Sequence, residues 1–282
     1  MKKIRVMKYC ALSCLIIVTE LLNSNLYAEQ NTAPQQETLA VWSQAQGDEY
    51  PVLLVRQTKE GWSRPEKLSN NGNLNLVPSI TIDQHNETWI VWSSVEGKKT
   101  YLLYKRSQNG NWSEEKKLET GFSSNTAPSI VVDNNNVLWL TWAAFDGQDD
   151  EIFTTFWNGS TFTPPVRITD NQVPDILPIM SFDSATNNLS VEWQGYANGT
   201  YETFQTSYND GKWSKTTASQ NIQTQSITND NPNSMVTVNP LKTEPIDLDL
   251  PEFLLSQPSL SLHVRGKAIQ SLPARLLQIE NE

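Results

Sequence analysis

Trp42, Trp92, Trp142 and Trp193 stand 50, 50 and 51 residues apart. Trp62, Trp112, Phe162 and Trp213 keep the same steps, and Pro78, Pro128 and Pro178 and Asp83, Asp133 and Asp183 recur at intervals of 50. Recurrence at this density marks a chain built of tandem copies of one unit, each burying its apolar surface against the next. All ten tryptophans lie between positions 42 and 213, so the core belongs to the repeats.

Each copy has a period of two. "PSITID" (78–83) sets Ile80 and Ile82 against Ser79, Thr81 and Asp83, and "TWIVWS" (88–93) alternates in the same way. "TYLLYKR" and "NWSEEKKL" follow, giving four runs of strand length separated by Asn-, Asp- and Gly-rich turns. The Asn-Gly and Asp-Gly pairs suit tight hairpins because both residues tolerate positive φ. Four antiparallel strands per copy, tandemly repeated, predict an all-β chain folded as a β-propeller with one blade per copy.

The ends of the array predict how it joins. The first copy starts at "ETLAVWSQ" (37–44), which aligns with second strands, and its own first strand is missing. "NSMVTVN" (233–239) resembles that strand, and pairing it beside the first blade would hide two open sheet edges. The expectation is four blades over residues 37–239, with a proline-punctuated tail at 240–282. The alternative is a fifth, divergent blade that draws on "IDLDL", "LSLHV" and "ARLLQI" from that tail.

Residues 1–28 carry Lys2, Lys3, Arg5 and Lys8, then a short apolar run, then "LYA" as a cleavage site. This predicts a bacterial Sec-type signal peptide, a short linker at 29–36, and a secreted or periplasmic product without membrane insertion. Both cysteines, Cys10 and Cys14, fall inside that segment. The remainder therefore has neither a disulfide nor a thiolate site. It keeps 17 basic against 30 acidic side chains, a net charge of −13, which opposes nucleic-acid and anionic-lipid partners. Two histidines, His85 and His263, are too few and too isolated for a hydrolytic triad or a histidine zinc site.

At "PSI..D....W..W....G.....Y.RS..G.WSE...L" the chain resembles the sialidase-like, BNR-type propeller repeats of secreted bacterial proteins, over residues 37–239. The resemblance implies a propeller, and it implies an Asp-box turn between third and fourth strands. Here those turns read "SQNGNW" (107–112), "WNGSTF" (157–162) and "YNDGKW" (208–213), two residues short and without the box aspartate. Enzymes of that family use three arginines, a Tyr/Glu pair and an acidic proton donor. Arg56 and Arg106 occupy one repeat position, so they read as strand residues, and with Arg167 they compose no arginine trio. No catalytic residues are assigned.

Alternating strand direction sorts the loops onto two faces. Asp83, Asp133 and Asp183 fall on the regular face, where they read as turn-formers. The repeats disagree on the other face, the place to seek a site. It carries Tyr50, Phe145, Asp146, Glu151, Tyr196, Tyr201 and Glu202 as candidate ligand contacts, since aromatic faces and carboxylates suit sugar rings. Glu192 joins them because it replaces Val41, Val91 and Thr141 of the other copies. Asp146, Asp149 and Asp150 could hold Ca²⁺ through hard oxygen ligands. The expectation is a non-catalytic module that binds a glycan or a protein. The alternative is a sialidase-related glycoside hydrolase using carboxylates of the variable face.

Overall fold

The computed structural model describes residues 38–108, 110–219 and 260–264. Among them are four antiparallel sheets in the arrangement of a β-propeller. The first contains β1 (Thr38–Ser43), β2 (Val52–Thr58), β3 (Gly61–Trp62) and β4 (Glu66–Lys67). The second contains β5 (Leu74–Ile82), β6 (Thr88–Glu96), β7 (Lys99–Gln108), β8 (Asn111–Trp112) and β9 (Lys116–Lys117). The third is β10 (Asn125–Val132), β11 (Leu138–Phe145), β12 (Asp150–Phe156) and β13 (Val166–Arg167). The fourth is β14 (Asp175–Asp183), β15 (Asn188–Ala197), β16 (Thr200–Asn209), β17 (Lys212–Trp213) and β18 (Thr217–Ala218).

A last strand, β19 (Ser261–Val264), pairs with β1 and becomes the innermost strand of the first sheet. This corrects the expectation from sequence, which gave that place to residues 233–239; those lie outside the described residues. Register shows why β19 fits. Ser261 stands opposite Val41 as Ser79 stands opposite Val91 and Ser129 opposite Thr141. The three serines then act alike, their hydroxyls accepting the backbone N–H of Ile80 (3.4 Å), Ile130 (3.1 Å) and Met180 (3.0 Å) on the next sheet's innermost strand.

Packing follows the period of two. Trp92, Trp142 and Trp193 turn back toward the preceding sheet, where they join Leu39 and Val41, Trp89 and Val91, and Trp139 respectively. All four repeat tryptophans are at most 2% exposed. Their indole N–H groups need acceptors in that dry setting. Asn75, Asn125 and Asp175, again 50 residues apart, supply them to Trp92 (2.9 Å), Trp142 (3.1 Å) and Trp193 (2.9 Å). Gly195 permits the last of these contacts, because a Cβ there would lie 2.6 Å from Asp175 Oδ1 and 2.8 Å from the Phe204 ring.

Two departures from ideal strands recur. Pro78, Pro128 and Pro178 lack the N–H that the ladder needs. Register shifts there, and the preceding Val77, Ala127 and Leu177 take φ of 47°, 51° and 53°. The outer strands expected as single runs are short pairs or stubs. Ser63, Ser113, Thr163 and Ser214 interrupt them, each side-chain oxygen accepting an N–H from the third strand, of Arg56, Arg106, Phe156 and Ser207.

Candidate functional site

The regular face is held by its own turns. Asp83 Oδ1 accepts the N–H of His85 and Glu87, and Asp133 Oδ1 accepts those of Asn135 and Val137. Trp139 Nε1 donates to Asp133 Oδ2 at 3.0 Å. Asp183 accepts from Ala185 N–H, and the Thr186 hydroxyl donates to its other oxygen. Adjacent turns are also tied: Gln84 N–H donates to Asn136 Oδ1 (2.7 Å), and Asn136 Nδ2 lies 2.8 Å from His85 Nδ1. Asn86, Asn136 and Asn187 hold φ of 54–65° at these turns, a conformation Asn tolerates. These polar groups face one another.

On the variable face, the β11–β12 turn gathers acids around one cation. Arg167 reaches Asp146 at 2.7 Å, Asp170 at 3.1 Å and Glu151 at 3.5 Å. The N–H of Gln148 and the Arg167 guanidinium hold the Asp146 carboxyl below the usual carboxylate range. Glu151 is 0% exposed. The Thr169 hydroxyl and the Asn171 N–H donate to its two oxygens. Burial nevertheless raises its pKa, outweighing those two bonds. Glu151, expected among the ligand contacts, therefore lies beneath the face as a strut between β12 and the chain entering β14. Its position beside Ala144 in the sheet explains the enclosure.

The expected Ca²⁺ set also changes. The carboxylates whose oxygens converge within 4.8 Å are Asp146, Asp149 and Glu151, and Asp150 is not among them. Asp149 Oδ1 is buried and has no hydrogen-bond partner among the described residues. Arg167 already sets a positive charge against two of the three acids. A Ca²⁺ ion takes six to eight oxygens, and it would compete with that guanidinium for Asp146 and Glu151. Asp150 is pushed up by burial and then by Asp149 and Asp146.

The aromatic candidates behave differently. Phe145, Tyr196 and Tyr201 are 41%, 41% and 44% exposed at hairpin ends. Tyr196 and Tyr201 face each other across the strand pair, their rings edge to face with centroids 5.3 Å apart. Asn198 and Gly199 make the tip between them with φ of 52° and 84°. Asn198 Nδ2 donates to Glu202 at 3.0 Å; Glu202 pairs with Gly195, so it sits on the face of the hairpin opposite to the tyrosine pair. Tyr50 is half-buried, and its carbonyl accepts from Asn75 backbone and side chain at 3.2 Å, tying the β1–β2 loop to the second sheet. Glu192 is half-buried opposite Ile179 and Gln205, and desolvation raises its pKa.

Sequence reasoning missed Asp175. It is 2% exposed, takes the Trp193 indole N–H and the Asn171 amide (2.6 Å), and is pushed up chiefly by burial. The signal was present in the 50-residue spacing of Asn75, Asn125 and Asp175, where a carboxylate replaces an amide. The role of Arg167 as centre of an acid cluster was likewise absent from the sequence reading.

No protein-family model matches the chain, and no curated protein matches it. Solved structures of similar fold do. A protein of unknown function from Dyadobacter fermentans DSM 18053 aligns with a TM-score of 0.53 at 12% identity, over 64% of this chain and 65% of that one. The GH93 α-L-arabinofuranosidase of Fusarium graminearum gives a TM-score of 0.49 at 11% identity, over 62% and 60%. A fucose lectin from Kordia zhangzhouensis gives 0.37 at 15% identity, over 51% of this chain and 99% of the lectin. The chain spans less than two thirds of the length of the first two. At these identities the likeness concerns the fold.

Proposed function

We propose that this protein is an exported binding module that holds a glycan on its variable face and cleaves nothing. The observation that carries the reading is the Tyr196–Tyr201 pair, two exposed rings set edge to face on one hairpin whose tip bears the Asn198 amide. Ring faces take the C–H side of a sugar while a neighbouring amide takes its hydroxyls. Phe145 extends the same chemistry to the neighbouring hairpin. The non-catalytic half rests on the acids. Glu151 and Asp175 are enclosed and bonded, and Asp146 is held by Arg167. Export follows from the amino-terminal segment, whose basic start and apolar run suit a Sec substrate.

A glycan array probed with the wild-type protein and with a Tyr196→Ala/Tyr201→Ala variant tests the reading. Binding to at least one glycan is expected, with a loss of tenfold or more in the variant, about 1.4 kcal/mol. A blank array, or a variant that binds as well as wild type, overturns the site. A panel of fluorogenic glycosides is expected to stay intact, and turnover of any of them would make the protein a hydrolase.

A further inference from the structure

The pair near the end of the β15–β16 hairpin, Tyr196 opposite Tyr201, has a counterpart at the same place on the third sheet. There Phe145 stands opposite Asp150, the last pair before the β11–β12 turn. Side chains so opposed share one face of the sheet, with Cβ atoms about 5 Å apart. Phe145 is exposed. Asp150 is half-buried and has no hydrogen-bond or ion-pair partner among the described residues. In the second sheet the corresponding pair is Val95 and Thr100, which carry neither a ring nor a charge.

Alternation fixes which way this pair faces. Ala143 and Ile152, two residues further in on the same strands, pack with Val191 and Trp193, so Phe145 and Asp150 lie at the rim of the junction with the fourth sheet. Glu202 comes to that junction from the other side. It stands opposite Gly195, two residues along from Trp193 and Phe204, which turn toward the third sheet. Charge here is one-sided. Between Lys117 and Lys212 the chain has twelve Asp and Glu residues against Arg167 alone, and no histidine. Arg167 is engaged by Asp146, Asp170 and Glu151. Asp149 Oδ1, in the same turn, is buried with no hydrogen-bond partner among the described residues. Burial pushes the Asp150 carboxyl up, and Asp149 and Asp146 push it further. A positive charge beside it relieves all three effects.

Resting on the glycan reading above, we propose that this rim binds a sugar with a free amine, so that the glycan held on the variable face is one carrying unacetylated amino groups. The Phe145 ring takes the ammonium through a cation–π contact, and the Asp150 carboxylate accepts its N–H bonds. Glu202 offers a second acceptor from the fourth sheet. A ring wall serves an ammonium, whereas a hard metal ion asks for oxygens on every side. The same field turns away sugars that carry a carboxylate or a sulfate, since Arg167, the one cation of this stretch, is already paired.

Calorimetric titration of the purified protein tests the proposal with three oligomers of equal length: glucosamine, N-acetylglucosamine and galacturonic acid. The glucosamine oligomer is expected to bind about tenfold more tightly than its acetylated counterpart, and the acidic oligomer not at all. Asp150→Asn, and separately Phe145→Leu, should bring the first two to within about twofold of each other. A variant that keeps the full preference would overturn the assignment of the rim. A lysine peptide of the same charge is expected to bind about tenfold more weakly than the glucosamine oligomer; equal binding would make this a peptide site and overturn the proposal. The Tyr196→Ala/Tyr201→Ala variant separates the two readings, and it should weaken both neutral and amino oligomers while preserving their ratio. If wild type binds both equally and the tyrosine variant loses both, the glycan site stands and the amine preference falls. If the ratio holds but the tyrosine variant binds as wild type does, the amine site stands and the tyrosine pair falls. Silence from all three oligomers would overturn both.

Discussion

Asp175 does in the fourth sheet what Asn75 and Asn125 do in the second and third, but as an acid that burial disfavours. Its folded-state pKa is raised above the unfolded value, so the folded protein binds that proton more tightly. The resulting stabilisation is complete below the unfolded pKa, about 4, and is lost as pH rises through the folded one. Urea unfolding from about pH 4 to about pH 8 should therefore show stability declining with pH. Asp175→Asn keeps an acceptor for Trp193 and should flatten the decline without abolishing it, since Asp150, Glu151 and Glu192 shift the same way. Identical slopes in the two proteins would refute this role. At this scale the sequence was partly legible. The tryptophans announced themselves by spacing and the turn aspartates by context. Asp175 shares the spacing of Asn75 and Asn125, but its role depends on which edge of an indole it meets, which spacing alone does not state. Glu151 was misplaced because a position that varies between repeats can differ for packing reasons as readily as for binding.

Strands were the most legible level, since alternation and turn residues both point the same way. Their interruptions were not. "NWSEEKKL" looks like one strand, yet Ser113 accepts the Arg106 N–H and breaks the run into β8 and β9. The innermost strands likewise start well before their prolines, continuing across the bulge at Val77, Ala127 and Leu177. Among the described residues, one serine hydroxyl ties the innermost strand of each of the first three sheets to that of its successor. Ser79 is 3% exposed, and the N–H it binds on Ile130 has no strand partner on that side. Ser79→Ala leaves that donor dry and unpaired, a cost of about 1–3 kcal/mol. The expected outcome is that loss in chemical denaturation, together with faster hydrogen exchange at the Ile130 amide. Exchange as slow as in wild type would show that the hydroxyl holds nothing.

At the scale of the molecule the question is what keeps the first sheet's inner edge covered. β19 pairs with Thr38–Val41 over four positions, and Leu260 fills the cluster behind Trp42. The sequence pointed to residues 233–239 because their valines and length fit a first strand. Alternation of this kind is common to any strand and cannot choose between candidates. The discriminating residue is the serine that reaches across to the next sheet, and Ser261 supplies it in register with Ser79 and Ser129. A chain ending at residue 259 loses that bond, the ladder and Leu260 together, and leaves β1 as an open edge of the kind that templates association. It should fail to give a stable monomer, appearing by light scattering as larger species or as a monomer of clearly lower midpoint. A chain ending at residue 267 keeps β19 and should match wild type in both respects. If the shorter chain remained monomeric with an unchanged midpoint, β19 would be an ornament on the sheet, and the edge of β1 would have to be protected by some other part of the protein.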